Sequence, residues 1–152
     1  MKGQKGQSVV EFALVLPIFL LIILGVVYGG LAYADYLQYS TAVREAARDI
    51  SVKDSAKRSA TVAGLNSNNA ATVKEYADPL TKLYKATFSV RPFKRNQDGS
   101  ETVTDINSAQ FVTVKAEFVL NNTNISVLPA TLKAVQCTMP VEKDNVQQQN
   151  QP

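Results

Sequence analysis

The stretch QSVVEFALVLPIFLLIILGVVYGGLAYADYLQYSTAVREAAR, from Gln7 to Arg48, decides how the rest of the chain is read. No residue from Phe12 to Ala34 is charged. As a helix that run spans about 34 Å, enough to cross a hydrocarbon core of about 30 Å with some tilt. A soluble domain of this size has no use for such a segment, so it is read as one membrane-spanning helix. Past Asp35 the apolar residues narrow to one face. Tyr36, Tyr39, Val43, Ala46, Ala47 and Ile50 recur at helical spacing, so the helix continues as an amphipathic half and ends between Ser51 and Gly64. Arg44, Glu45, Arg48 and Asp49 read as a solvated face with short-range pairs, or as contacts to headgroups or a partner.

The flanks orient the span. MKGQKG carries Lys2 and Lys5 and no acid, and the first charge after the span is Asp35. Positive charge stays cytoplasmic, which places the N-terminus inside and the C-terminal part outside. Tyr28, Tyr33, Tyr36 and Tyr39 fall around the outer interface, where amphipathic rings are favoured.

The 152 residues leave room for one small domain after the span. The formal charge is +3, and Lys2 and Lys5 supply two of those charges. Basic residues beyond Asp35 are mixed with acids and form no stripe, so nucleic acid is not an expected partner. There is no histidine and one cysteine, Cys137. A disulfide within the chain is therefore impossible, and the usual Cys/His zinc sets are ruled out. GxSxG, phosphate-loop and EF-hand patterns are also missing. The expectation is no enzyme and no cofactor. Cys137 reads as a buried, inert small residue rather than a reactive thiol; Asp98, Glu101 and Asp105 read as turn solvation rather than a metal cluster.

Three readings compete for residues 1–34. A signal peptide cleaved after Ala32-Tyr33-Ala34 fits the small-x-small pattern, but the apolar run far exceeds the usual length of about 7 to 15 residues, and Glu11 sits just ahead of it. A plain uncleaved anchor leaves the spacing of Gly6 and Glu11 unexplained. In the third reading Gly6 closes a short basic leader, and cleavage there makes Gln7 the first residue and Glu11 the fifth, with Phe12 next. A carboxylate at the mouth of a membrane helix is costly to bury, and the new amino terminus of a neighbouring Gln7 would pair with it and set the axial register between helices. Pro17 inside the span is either a bend or one of the prolines that membrane helices tolerate. Gly25 and Gly29, with Gly30 beside them, form a GxxxG that is either a close-packing face or ordinary membrane-helix composition.

This run resembles the TadE-like minor pilins, or pseudopilins, of tight-adherence (Flp-type) pili. The shared pattern is Gly6 before the cut, Glu11 followed by Phe12, Leu16-Pro17, and the Ala42 to Arg48 segment after the span. Phe12 stands where the major Flp pilins carry tyrosine, a departure that the TadE-like proteins share. The resemblance implies processing by a membrane prepilin peptidase, an assembly platform and other pilin subunits as partners, and a place in or at the base of a pilus.

The rest of the chain is expected to form a small α+β domain. LNSNNA, Leu65 to Ala70, reads as a polar loop and candidate hinge. Residues 70–85 read as helical, with Val73, Tyr76, Ala77, Leu80, Leu83 and Tyr84 facing a core; Asp78-Pro79 allows two short helices there. Ala86 to Phe93 alternates as a strand, Asp98-Gly99 marks a turn, and Glu101 to Thr104 returns. Gln110 to Leu120 is the best strand, with Val112, Val114, Ala116 and Phe118 on one face. A polar loop at 121–124 and a break at Leu128-Pro129 precede a last strand, Thr131 to Glu142, which Pro140 marks as an edge. The TadE-like family likewise tends to close on a Met-x-Val-Glu-like sequence, here Met139 to Glu142.

The expected division is a leader at 1–6, a transmembrane and amphipathic helix at 7–58, an extracytoplasmic α+β domain at 59–142 and a disordered tail at 143–152. Two functions remain open: a minor pilin assembled by helix packing in the bilayer, or a membrane-anchored extracellular binding module in which the helix is only a tether.

Overall fold

The computed structural model describes residues 4–79, 81–121 and 128–142, with side chains from Ser8 onward. Leu80, the polar loop at 122–124 and the tail after Glu142 lie outside the described residues. Helix α1 runs Gln4–Val52 and passes through Pro17 without interruption. Two short helices follow, α2 (Ser55–Asn66) and α3 (Ala70–Tyr76). Four strands complete the chain: β1 (Tyr84–Arg95), β2 (Glu101–Val103), β3 (Phe111–Leu120) and β4 (Thr131–Pro140). They form one antiparallel sheet in the order β2-β1-β3-β4. This is the α+β arrangement expected, with β4 at an edge.

One face of the sheet lies on the outer half of α1. Period-two alternation delivers Tyr84, Ala86, Phe88 and Val90 from β1 and Val112, Val114, Ala116, Phe118 and Leu120 from β3 to that face. The helix answers with Ala32, Tyr39, Ala42, Val43, Ala46, Ala47 and Ile50, all buried. Small residues at 42, 46 and 47 let the helix lie close to the strands. Tyr36 and Tyr39 close on Phe118, with ring centroids 5.6 and 5.5 Å apart, and Tyr39 also meets Phe88 edge-on at 6.3 Å. Tyr39 is therefore a core residue and Tyr36 packs partly buried against the core; the Tyr39 hydroxyl donates to the carbonyl of Tyr84 at 3.2 Å. Tyr33 stays exposed.

α1 ends at Val52, and the boundary drawn at residue 58 falls inside α2. Arg58 explains the break: it is 2 % exposed, and its Nε donates to the carbonyl of Ile50 at 3.0 Å while a terminal nitrogen donates to that of Glu142 at 2.9 Å. One guanidinium thus meets a carbonyl left open at the end of α1 and ties the C-terminal end of β4 to it. The Glu142 N–H donates back to Ser51 O at 2.9 Å.

The LNSNNA segment is hydrogen-bonded to β1. Asn66 Oδ1 accepts from the Val90 N–H at 2.6 Å and Asn68 Oδ1 from the Phe88 N–H at 2.7 Å. Because β2 reaches only the Phe93–Arg95 end of β1, these two amides stand in for a neighbouring strand along the rest of that edge. Asn68 takes a left-handed φ of 51°, which asparagine tolerates, and Asn69 caps α3 by accepting from the Ala71 N–H at 3.0 Å. The helix expected over residues 70–85 stops at Tyr76: Asp78-Pro79 starts no helix, and Leu83-Tyr84 leads into β1. Pairing with β3 overrides helical spacing here, since Tyr84 stands opposite Leu120.

Cys137 lies on the inner face of β4 opposite Val114, half-buried rather than fully buried as expected. Glu101 is more than turn solvation, pairing with Arg91 at 3.4 Å and Arg95 at 3.6 Å. Asp98 and Asp105 hold tight turns by accepting from the Ser100 and Asn107 N–H groups, both at 2.9 Å.

Candidate functional site

From Ser8 to Val27 every residue of α1 is exposed, and no other described element touches that face of the helix. Apolar side chains point out on all sides: Val9, Phe12, Leu14, Phe19, Leu21 and Val26 are each more than half exposed. In water such a rod would leave a very large apolar surface uncovered, which hydrocarbon or other helices would bury. This half carries the sequence-predicted site residues. Gly6 and Gln7 lie on helical backbone near the start of α1, outside the residues whose side chains are described. Glu11 and Phe12 are exposed about one turn further on. Gly25 and Gly29 have open space where a Cβ would stand. Among them only Gly29 borders a cleft, at the base of the domain; the others are strung along the exposed half of the helix.

The helical repeat adds something the glycine pair alone does not give. Positions 25, 29, 32, 36, 39 and 43 fall on one side of an α-helix. Ala32, Tyr36, Tyr39 and Val43 on that side carry the domain, so the glycines lie directly beneath it.

At the junction stands Asp35, the first charge after the span and 1 % exposed. Its carboxylate accepts from the Thr81 hydroxyl at 2.5 Å and from the N–H groups of Leu83 at 2.9 Å and Tyr84 at 3.2 Å. Those two amides open β1, so the helix anchors the first strand at its starting residue. The sequence signal for Asp35 was its place on the apolar stripe, four residues before Tyr39 and three after Ala32. Arg58 carried no comparable signal, because its partners are backbone carbonyls distant in sequence.

A second cluster lies on the far side of the sheet. Phe93 points away from α1 yet is only 2 % exposed. It stacks on Phe111 with centroids 5.5 Å apart, and the Arg91 and Arg95 guanidinia lie 5.9 Å from the Phe93 ring centre and 5.5 Å from that of Phe111. With Glu101 between the arginines, this small core is self-covered.

No group of His, Cys, Asp or Glu among the described residues is arranged to hold a metal ion. Hydrogen bonds from Ser100 lower the pKa of the Asp98 carboxyl, while three tyrosines of the domain shift upward. Burial raises the hydroxyl pKa of Tyr39, helped by the Asp35 charge; burial and then the hydrogen bond to Asp49 raise that of Tyr76; burial raises that of Tyr84. Each of the three hydroxyls donates a hydrogen bond within the domain, Tyr39 to the Tyr84 carbonyl, Tyr76 to the Asp49 carboxylate and Tyr84 to the Pro129 carbonyl.

Residues 6–48 match the sequence model of the TadE-like protein family. The matched segment lies wholly within α1 and includes both its bare half and most of its domain-bearing half. The N-terminal helix is thus similar in sequence to that of TadE-like proteins, and the domain after residue 48 lies outside the match. No curated protein and no solved structure matches the chain.

Proposed function

We propose that this chain is a minor pilin, or pseudopilin, of a tight-adherence pilus. A prepilin peptidase cuts between Gly6 and Gln7, and the protein stands in the inner membrane with its N-terminus cytoplasmic and its domain outside. The single observation that supports this most is the sharp division of α1. One continuous helix is bare from Ser8 to Val27 and sheathed from Ala32 onward, and the family likeness runs along both parts. A simple tether would need neither the continuity into the domain core nor the anchoring of β1 through Asp35.

In this reading the bare half packs against the helices of other subunits at the assembly platform. The Glu11 carboxylate pairs with the amino terminus of a neighbouring Gln7, which sets axial register; Phe12 packs beside it. Pro17 provides a point of bending, and Gly25 and Gly29 allow close approach of a second helix. The domain then initiates, caps or decorates the filament.

The test is the first residue of the mature protein, read by intact mass or N-terminal sequencing of membrane fractions. A start at Gln7 is expected. A start at Asp35 would mean secretion of a soluble domain, and an intact Met1 in cells with an active prepilin peptidase would leave only an anchor. Glu11→Ala is expected to accumulate in the membrane without assembling.

A further inference from the structure

Where the bare helix meets the base of the domain there is a cleft of about 360 Å³, within the size range of small-molecule sites. Its helix wall is Gly29, Ala32 and Tyr36; its other wall is Leu128 and Leu132, at the approach to β4; and Lys133 stands at its rim. The surface of the lining is almost entirely apolar, with Tyr33, Tyr36 and Tyr84 contributing to it, and Lys133 is exposed. We propose that, in the subunit before its helix packs against others, this cleft holds one phospholipid of the outer leaflet, with an acyl chain against Gly29 and Leu132 and an anionic headgroup phosphate at Lys133. The inference rests on the membrane-spanning reading of α1.

Four features favour a lipid over another occupant. The helix wall belongs to the last turns of the uncharged segment, which ends at Ala34, so it lies at the depth where acyl chains meet headgroups. The apolar lining continues directly into the exposed surface of the bare helix, so a chain can enter sideways from the bilayer without crossing water. Gly29 keeps the wall flat, because any side chain there would project into the open space that the cleft provides. Lys133 adds charge complementarity for a phosphate, and its long apolar stem can lie along the wall. Bound lipid would fix the domain's standoff from the membrane surface.

The full-length chain is reconstituted in vesicles of phosphatidylethanolamine and phosphatidylglycerol, doped with phosphatidylglycerol bearing a diazirine on one acyl chain. After irradiation, adducts are mapped by mass spectrometry. The expected result is adducts concentrated on Leu128 to Lys133, above the even labelling along Val9 to Leu24. Gly29→Leu, whose Cβ meets no atom within 4 Å and whose longer side chain would fill the cleft, is expected to lower the concentrated adducts several-fold and leave the even labelling unchanged. Lys133→Glu is expected to abolish the preference over the same probe with a phosphatidylcholine headgroup. Labelling of Val9 to Leu24 without enrichment at 128–133, enrichment that survives both variants, or cross-links from these residues to a second copy would each overturn the lipid site alone. Loss of labelling along Val9 to Leu24 as well would overturn the membrane-spanning reading itself.

Discussion

Between Ser8 and Val27 α1 is apolar and wholly exposed, whereas between Ala32 and Ile50 the same helix has a buried stripe and a polar back. The first half is apolar on every side, so no single protein face could satisfy it; the second concentrates its apolar residues on one side and is satisfied by the sheet. A substitution should therefore have different consequences on either side of Asp35. Domain stability should register changes in the second half alone, and assembly changes in the first.

The largest contrast is expected from core truncation. Phe118→Ala removes the ring that Tyr36 and Tyr39 pack on and should cost about 3–5 kcal/mol, read by urea unfolding of the full chain in detergent with near-ultraviolet circular dichroism. Leu20→Ala, in the bare half, should leave that unfolding curve in place; a shift comparable to that of Phe118→Ala would mean the two halves are not independent. Next is the junction. Asp35→Ala strips the acceptor from the Thr81 hydroxyl and from the Leu83 and Tyr84 N–H groups, and should cost about 2–3 kcal/mol in the same assay. Asp35→Asn, which keeps one carbonyl oxygen, should recover part of the loss.

Glycines sharpen the comparison at smaller scale. A Cβ on Gly64 would lie 2.5 Å from Thr72 Oγ1 and 3.0 Å from Thr72 Cβ, so Gly64→Ala should force α2 and α3 apart at a cost of about 1–3 kcal/mol. Adding Thr72→Ala should restore some of it. Gly25→Ala meets nothing and should leave the domain unchanged while weakening helix packing in the membrane. The smallest effect is alkaline. Tyr39, Tyr76 and Tyr84 hold their protons above the ordinary tyrosine range in the folded domain, so the unfolded chain loses protons first and stability should fall as pH rises past about 10. Tyr76→Phe should flatten that slope; an unchanged slope would show that its hydroxyl is not what titrates.

Much of the fold was legible because it rests on short-range periodicity. Val112, Val114, Ala116 and Phe118 alternate with polar residues, and the structure places all four against α1. Gly99, at φ 84°, fits the left-handed position that its turn requires. The misreadings share a cause. Asn66 and Asn68 look like loop residues because their hydrogen-bonding partners lie 24 and 20 positions away in β1, and Leu83-Tyr84 looks helical until β3 is there to pair with it. Local spacing is equally silent about Phe93, which is covered by Phe111 across the sheet and by Arg91.

By itself the sequence determined the long apolar helix, its amphipathic continuation, the strands of the sheet and the TadE-like pattern of Gly6, Glu11 and Phe12, because each depends on residue type at fixed local spacing. Only the tertiary structure decided where α1 ends, that Asp35 and Arg58 join it to the domain, that the asparagines guard the edge of β1, and that the glycine side of the helix runs beneath the domain. Those features depend on backbone groups brought together from distant parts of the chain. Such groups are the same in every residue, and the amino-acid sequence does not mark which of them will meet.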